Sequence, residues 1–232
     1  MDLSSPFFED ARLEAVARAI LNHEDTPLRT ALAEGLPLDL PGRDGIRLSH
    51  LAMSPTDPSM LAALISVGAD INATTGEGIS LTELAAARGD GTADHLRVLL
   101  DAGLDPNRIS GRLRAPPLMY AVHGVNHVAA ALLLDHGADP NWSAPIKGTA
   151  LHMTMITPHL EMARLLLERG ADPRITTKHK PSVPELWCFM ANLRSMRPSA
   201  ERFAEFEALN ALMFQLHKIE FPCYLDGLPR RS

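Results

Sequence analysis

Four stretches of the chain share one pattern: an apolar run, a glycine, then a polar turn built from Asp, Pro and Asn. They read "LISVGADIN" from Leu64, "LLDAGLDPN" from Leu99, "LLLDHGADPN" from Leu132 and "LLLERGADP" from Leu165. The closing glycines are Gly68, Gly103, Gly137 and Gly170, spaced 35, 34 and 33 residues apart. Each run has helical spacing, as in Val128 to Leu134, so each predicts a helix that stops at the glycine. Glycine suits the position after a helix because φ is positive there. Pro106, Pro140 and Pro173 keep the chain from continuing as helix. Aspartate and asparagine beside them close a turn. A period of this length predicts a stacked helical array.

A small residue precedes each glycine by a nearly constant interval: Ala52, Ala85, Ala121 and Thr154. Around these lie "GIRLSHLA", "GISLTELA", "RAPPLMYA" and "KGTALHMT". Together with the stop phrases they resemble the ankyrin repeat, most closely in the terminal half of each unit. The initiating half departs from the family pattern. Thr149-Ala150-Leu151-His152 has alanine where the family carries proline, and Glu83 stands where His50 and His152 stand in their units.

The resemblance implies an all-α ankyrin repeat solenoid of stacked helix pairs with β-turn fingers, read as a single domain over residues 1–232. Residues 11–40 are expected to form an N-terminal cap, with helices at Ala11 to Leu21 and near Pro27 to Glu34. Repeats are expected at 41–72, 73–107, 108–141 and 142–173. A C-terminal cap is expected at 183–220, ending in a helix from about Ser199 to Lys218. There Phe203, Phe206, Leu209, Leu212, Met213 and Leu216 recur at helical spacing. "ARGDGTADHL" is longer than its counterparts, which predicts an extended loop at Gly89 to Thr92, with Thr92 or Asp94 capping the next helix. It reads as a tolerated surface insertion or as a partner contact.

Composition adds limits. Aromatics are 5% of the chain, so the core is aliphatic. The net charge of −6 argues against a general nucleic-acid binder. No stretch approaches a membrane span, and no secretory leader is visible, which points to the cytoplasm. Cys188 and Cys223 are not spaced as a metal pair and read as reduced thiols, with a disulfide as the alternative. The ten histidines form no metal motif. His123 and His127 lack a third ligand. No phosphate cradle and no nucleophile elbow appear. No catalytic residue, metal or cofactor is therefore expected.

What remains is surface. In the ankyrin arrangement the segments after each stop are fingers, here 41–47, 73–79, 108–114, 142–149 and 174–181. They hold nine basic residues against Asp44 and Glu77, a balance of +7, which leaves −13 on the rest of the chain. The basic residues are Arg43, Arg47, Arg108, Arg112, Arg114, Lys147, Arg174, Lys178 and Lys180. Such a rim predicts a protein partner with an acidic patch. Inner-helix positions expected to face the concavity are Leu51, Ser54, Leu84, Arg88, Tyr120, His123, Met153 and Ile156. Tyr120, Met153 and Ile156 make a candidate apolar patch beside Trp142. The expected partner-binding residues are Arg88, Arg112, Arg114, Tyr120, His123, Trp142, Lys147, Met153, Ile156, Arg174 and Lys178. Trp142 reads equally as packing, and Trp187 as core. The resemblance implies a non-catalytic protein binder, either an inhibitor or immunity protein of a secreted toxin or enzyme, or a general adaptor with several partners, with an enzyme on an ankyrin frame as the last alternative. No nucleic acid or membrane is expected, and self-association remains open.

Overall fold

A computed structural model describes residues 5–53, 57–87, 93–156, 159–186 and 200–218. The chain divides into two compact units, Met1–Ala138 and Asp139–Ser232. The first contains four helix pairs. They are α1 (Ala11–Leu21) with α2 (Asp25–Ala33), α3 (Leu48–Leu51) with α4 (Ser59–Ser66), α5 (Leu81–Ala87) with α6 (Ala93–Asp101), and α7 (Pro117–His123) with α8 (His127–Asp135). The second unit holds a two-stranded hairpin, β1 (Ser143–Ala144) and β2 (Gly148–Thr149), then α9 (Ala150–Ile156), α10 (Leu160–Glu168) and α11 (Ala200–His217). The helices expected at 11–21 and about 199–218 are present within a residue or two. Leu209 and Met213 of α11 are buried, and α11 packs on α10.

The stop phrase does the same work in every copy. After α8, the Gly137 N–H bonds to the Leu134 carbonyl at 3.1 Å and the Ala138 N–H to the Leu133 carbonyl at 2.9 Å. That pair of bonds caps two carbonyls the helix end leaves open. The same pair forms at Gly68 and Ala69, at Gly103 and Leu104, and at Gly170 and Ala171. It also forms at Gly35 and Leu36, so "GLPLDL" in the N-terminal cap is a complete stop despite its divergent sequence. The four repeat glycines have φ between 86° and 94°. A Cβ at Gly137 would meet nothing within 4 Å, so the demand for glycine there lies in the backbone and not in crowding.

Aspartate two residues later closes the turn. Asp70, Asp105, Asp139 and Asp172 each accept a backbone N–H two residues on, at 2.8 to 2.9 Å. Asparagine then couples repeats. Asn107 Nδ2 donates to the Gly137 carbonyl at 3.0 Å, and Asn141 Nδ2 to the Gly170 carbonyl at 3.2 Å. Asn141 Oδ1 also accepts the Asp172 N–H at 2.7 Å. These two turns thus bind the helix stop of the following repeat.

The small residues allow close helix packing. Ala52, Ala85, Ala121 and Thr154 are essentially inaccessible. The end of α7 lies so near α5 that a Cβ on Gly124 would collide with the Ala87 carbonyl. Asp94 lies inside the first turn of α6, while Gly89 to Thr92 fall outside the described residues, as do Trp187, Cys188 and Cys223.

Gly137→Val forces a β-branched residue into positive φ and is expected to cost about 1–3 kcal/mol. Thermal unfolding should show the midpoint several degrees lower. An unchanged midpoint would contradict this account of the stop.

Candidate protein-binding surface

Between repeats the chain forms short hairpins. Thr74 pairs with Ser80, Ser110 with Ala115, Ser143 with Thr149 and Thr177 with Lys180. Within each unit, neighbouring fingers are tied together, and the chemistry of the tie differs each time. The Gly76 N–H donates to the Asp44 carbonyl at 2.6 Å. His152 takes the Thr149 hydroxyl on Nδ1 at 2.8 Å, and its Nε2 lies 2.9 Å from the Pro181 carbonyl, 29 residues on.

Glu83 occupies the equivalent place in its repeat and reaches Arg112, also 29 residues on. Its carboxylate is buried. Oε2 accepts the Arg112 N–H at 3.0 Å, and Oε1 accepts Arg112 Nε at 2.9 Å and Nη2 at 2.8 Å. The Ser80 hydroxyl accepts the Glu83 N–H and touches the Ser110 hydroxyl. Tyr120 completes the lock: its hydroxyl donates to the Ser110 carbonyl at 2.7 Å and accepts the Leu113 N–H at 2.8 Å. Gly111, at φ 68°, has no room for a Cβ against that hydroxyl and the Glu83 carboxylate.

The structure places one expected binding residue in the interior and ties another into the fold. Tyr120 is 2% exposed and cannot anchor a partner. Burial raises the pKa of its phenol, and it serves as an internal strut. Arg112 is surface-accessible, yet its guanidinium belongs to Glu83. Leu51, expected to face outward, is buried. The other residues stand as follows. Arg114, His123, Lys147, Arg174 and Lys178 are exposed. Trp142 and Met153 are half-buried. Ile156 ends α9, and nothing of its side chain is described. Arg88 and Ser54 lie outside the described residues.

The basic rim divides by partner. Arg43 pairs with Asp44 at 3.8 Å, Arg47 with Asp39 at 3.4 Å, and Arg174 with Asp172 at 2.9 Å. With Arg112, four of the nine cations are engaged within the fold. Arg108, Arg114, Lys147, Lys178 and Lys180 have no ion pair among the described residues. Sequence reasoning missed the apolar tips. Ile109 is 54% exposed, Leu113 38% and Ile146 72%. Each follows or precedes an arginine or lysine in the chain. The signal was present in "RISGRLR" and "APIKG", where aliphatic residues sit in a turn outside any helical period.

Among the described residues, no three His, Cys, Asp or Glu gather as a metal site, and no helix is long and apolar enough to cross a membrane.

A stack of helix pairs with tied, charged fingers defines a repeat-built binding scaffold. Residues 83–177 match the family of ankyrin repeats, in three copies. These are ankyrin repeats, and such repeats are protein–protein interaction modules. The chain is 30% identical over 135 residues to a putative ankyrin repeat protein of Acanthamoeba polyphaga mimivirus, covering 58% of this chain and 17% of that one. It is 44% identical over 63 residues to cyclin-dependent kinase 4 inhibitor B of Bos taurus, covering 27% and 47% respectively. The chain thus spans less than half the length of these relatives. Among solved structures, the ankyrin repeat domain of Bcl-3 superposes with TM-score 0.64 at 22% identity, covering 91% of this chain and 86% of that one. The ankyrin repeat domain of human ASB11 superposes with TM-score 0.60 at 22% identity, covering 79% of each.

Glu83→Ala should leave the Arg112 amide and guanidinium without their acceptor, at a stability cost of about 1–3 kcal/mol. Hydrogen exchange should accelerate first at the Arg112 amide. Equal protection in both proteins would contradict the tie.

Burial holds the imidazoles of His50, His95 and His152 below their ordinary pKa. The unfolded chain then binds more protons than the folded one once pH falls below about 6.5. The stabilisation these rings contribute is full above that pH and is lost as pH falls toward their folded values. The unfolding midpoint should hold steady from about pH 8 to pH 7 and decline toward pH 5. A flat midpoint down to pH 5 would contradict neutral burial.

Proposed function

We propose that this protein is a non-catalytic binding module whose basic fingers engage an acidic protein partner and inhibit it. The observation that carries this reading is the set of hairpin cations that have no ion pair among the described residues: Arg108 and Arg114 in the first unit, Lys147 and Lys178 in the second. A fold that closes half its finger charges internally leaves these available for steering and pairing. The tied hairpins need little ordering when a partner arrives, so more of the contact energy appears as affinity. The similarity to a kinase inhibitor supports inhibition as the outcome of binding. Immunity toward a secreted toxin or enzyme is one form that such inhibition takes.

The test uses tagged protein as bait, with native mass spectrometry of what it retains. One partner at equal stoichiometry is expected, lost when Arg108, Lys147 and Lys178 are all changed to Glu, and with its activity restored on release. Several partners in sub-stoichiometric amounts would indicate an adaptor instead. Self-association in light scattering, with no other partner retained, would overturn the reading, as would a partner indifferent to the charge reversal.

A further inference from the structure

We propose that finger 108–115 is the specificity-determining edge, and that it docks an extended acidic protein segment carrying apolar side chains. This inference rests on the binding role argued above and names the partner's chemistry at one finger.

The tip combines two features that proteins rarely leave together on a surface. Ile109 and Leu113 expose aliphatic side chains, and Arg108 and Arg114 flank them without an ion pair among the described residues. Exposed apolar groups on a mobile loop turn inward or are tolerated singly. This hairpin has no such freedom. The Leu113 N–H is held by the Tyr120 hydroxyl, the Arg112 N–H and guanidinium by Glu83, and the Ser110 carbonyl by Tyr120. Arg114 itself sits at φ 48°, a conformation that non-glycine residues adopt at a cost. A buried carboxylate, a buried phenol and a left-handed arginine thus fix the turn that presents Leu113 outward.

An apolar centre with a cationic rim is the complement of an apolar side chain bordered by carboxylates. The hairpin 143–149 repeats the chemistry in the other unit, with Ile146 beside Lys147. Two alternatives fit less well. An anionic bilayer would also take aliphatic tips beside cations, but two basic residues are few for holding a protein to such a surface, and the chain as a whole carries −6. Single-stranded nucleic acid needs exposed aromatic faces, and this finger has none.

The test is selection of short random peptides displayed on phage against the whole chain, followed by fluorescence anisotropy of the best peptide made synthetically. Selected peptides should be rich in Asp and Glu around Leu, Ile or Phe. Ile109→Ser with Leu113→Ser should weaken binding by roughly tenfold or more. Arg108→Gln with Arg114→Asn, the asparagine chosen to tolerate positive φ, should weaken it similarly and flatten its salt dependence. Thermal melts should show both double variants folded. Selection of neutral or basic peptides, no selection at all, or binding indifferent to Ile109 and Leu113 would overturn the assignment. So would sedimentation with phosphatidylserine vesicles that the Ile109 and Leu113 changes abolish. A cellular partner retained equally by the Ile109/Leu113 variant would overturn this finger's role and leave the general binding role standing. Recovery of no partner by any form of the protein would remove the general role itself.

Discussion

The coupling of a turn to the next repeat, made by Asn107 and by Asn141, is what the rest of the structure depends on. A helix pair of this size cannot bury its apolar faces alone, so it is stable only against neighbours. Packing by small residues such as Ala85 and Ala121 permits close approach but leaves the pairs free to slide. The Asn107 amide on the Gly137 carbonyl, and the Asn141 amide on the Gly170 carbonyl, remove that freedom. Those carbonyls lie at helix ends, where no intrahelical donor serves them. The stop therefore has two functions at once: it ends a helix, and it offers the acceptor that sets the register of its neighbour.

This double use explains why the stop phrase was so legible in sequence. Glycine, aspartate and asparagine each satisfy a separate geometric demand, and few other residues meet any of them. The first-helix segments were harder to read because the tie between fingers accepts several chemistries. A backbone N–H from Gly76, an imidazole from His152 and a carboxylate from Glu83 all bridge adjacent hairpins. What the fold requires there is a donor or acceptor at the right place, not a particular side chain. The departure of Glu83 from the family pattern was visible. Its consequence was not, because the partner is a backbone amide and a guanidinium 29 residues away.

The same substitution misled the reading of the surface. A buried carboxylate in place of an imidazole needs a cation, since an unpaired buried charge is costly. Arg112 supplies it. Arg112, expected on a partner-facing rim, therefore also serves the fold. Arg174 and Arg47 also pair within the fold, with the less buried carboxylates of Asp172 and Asp39. Charge asymmetry read along a sequence overstates the available field wherever turns use arginine to hold themselves.

Correcting the count sharpens the surface. Once the structural arginines are set aside, the first-unit finger cations with no ion pair among the described residues are Arg108 and Arg114, on the same hairpin that exposes Ile109 and Leu113. Tyr120 shows why the two properties coincide. Its phenol was expected to be an exposed anchor, yet by turning inward to hold the Ser110 carbonyl and the Leu113 amide it fixes the hairpin that carries the aliphatic tips. A residue that stiffens a loop from beneath contributes to recognition without touching the partner, because ordering already present in the free protein is not lost again on binding. Sequence pattern separates anchors from struts poorly, since both are large residues near a turn. Burial separates them directly.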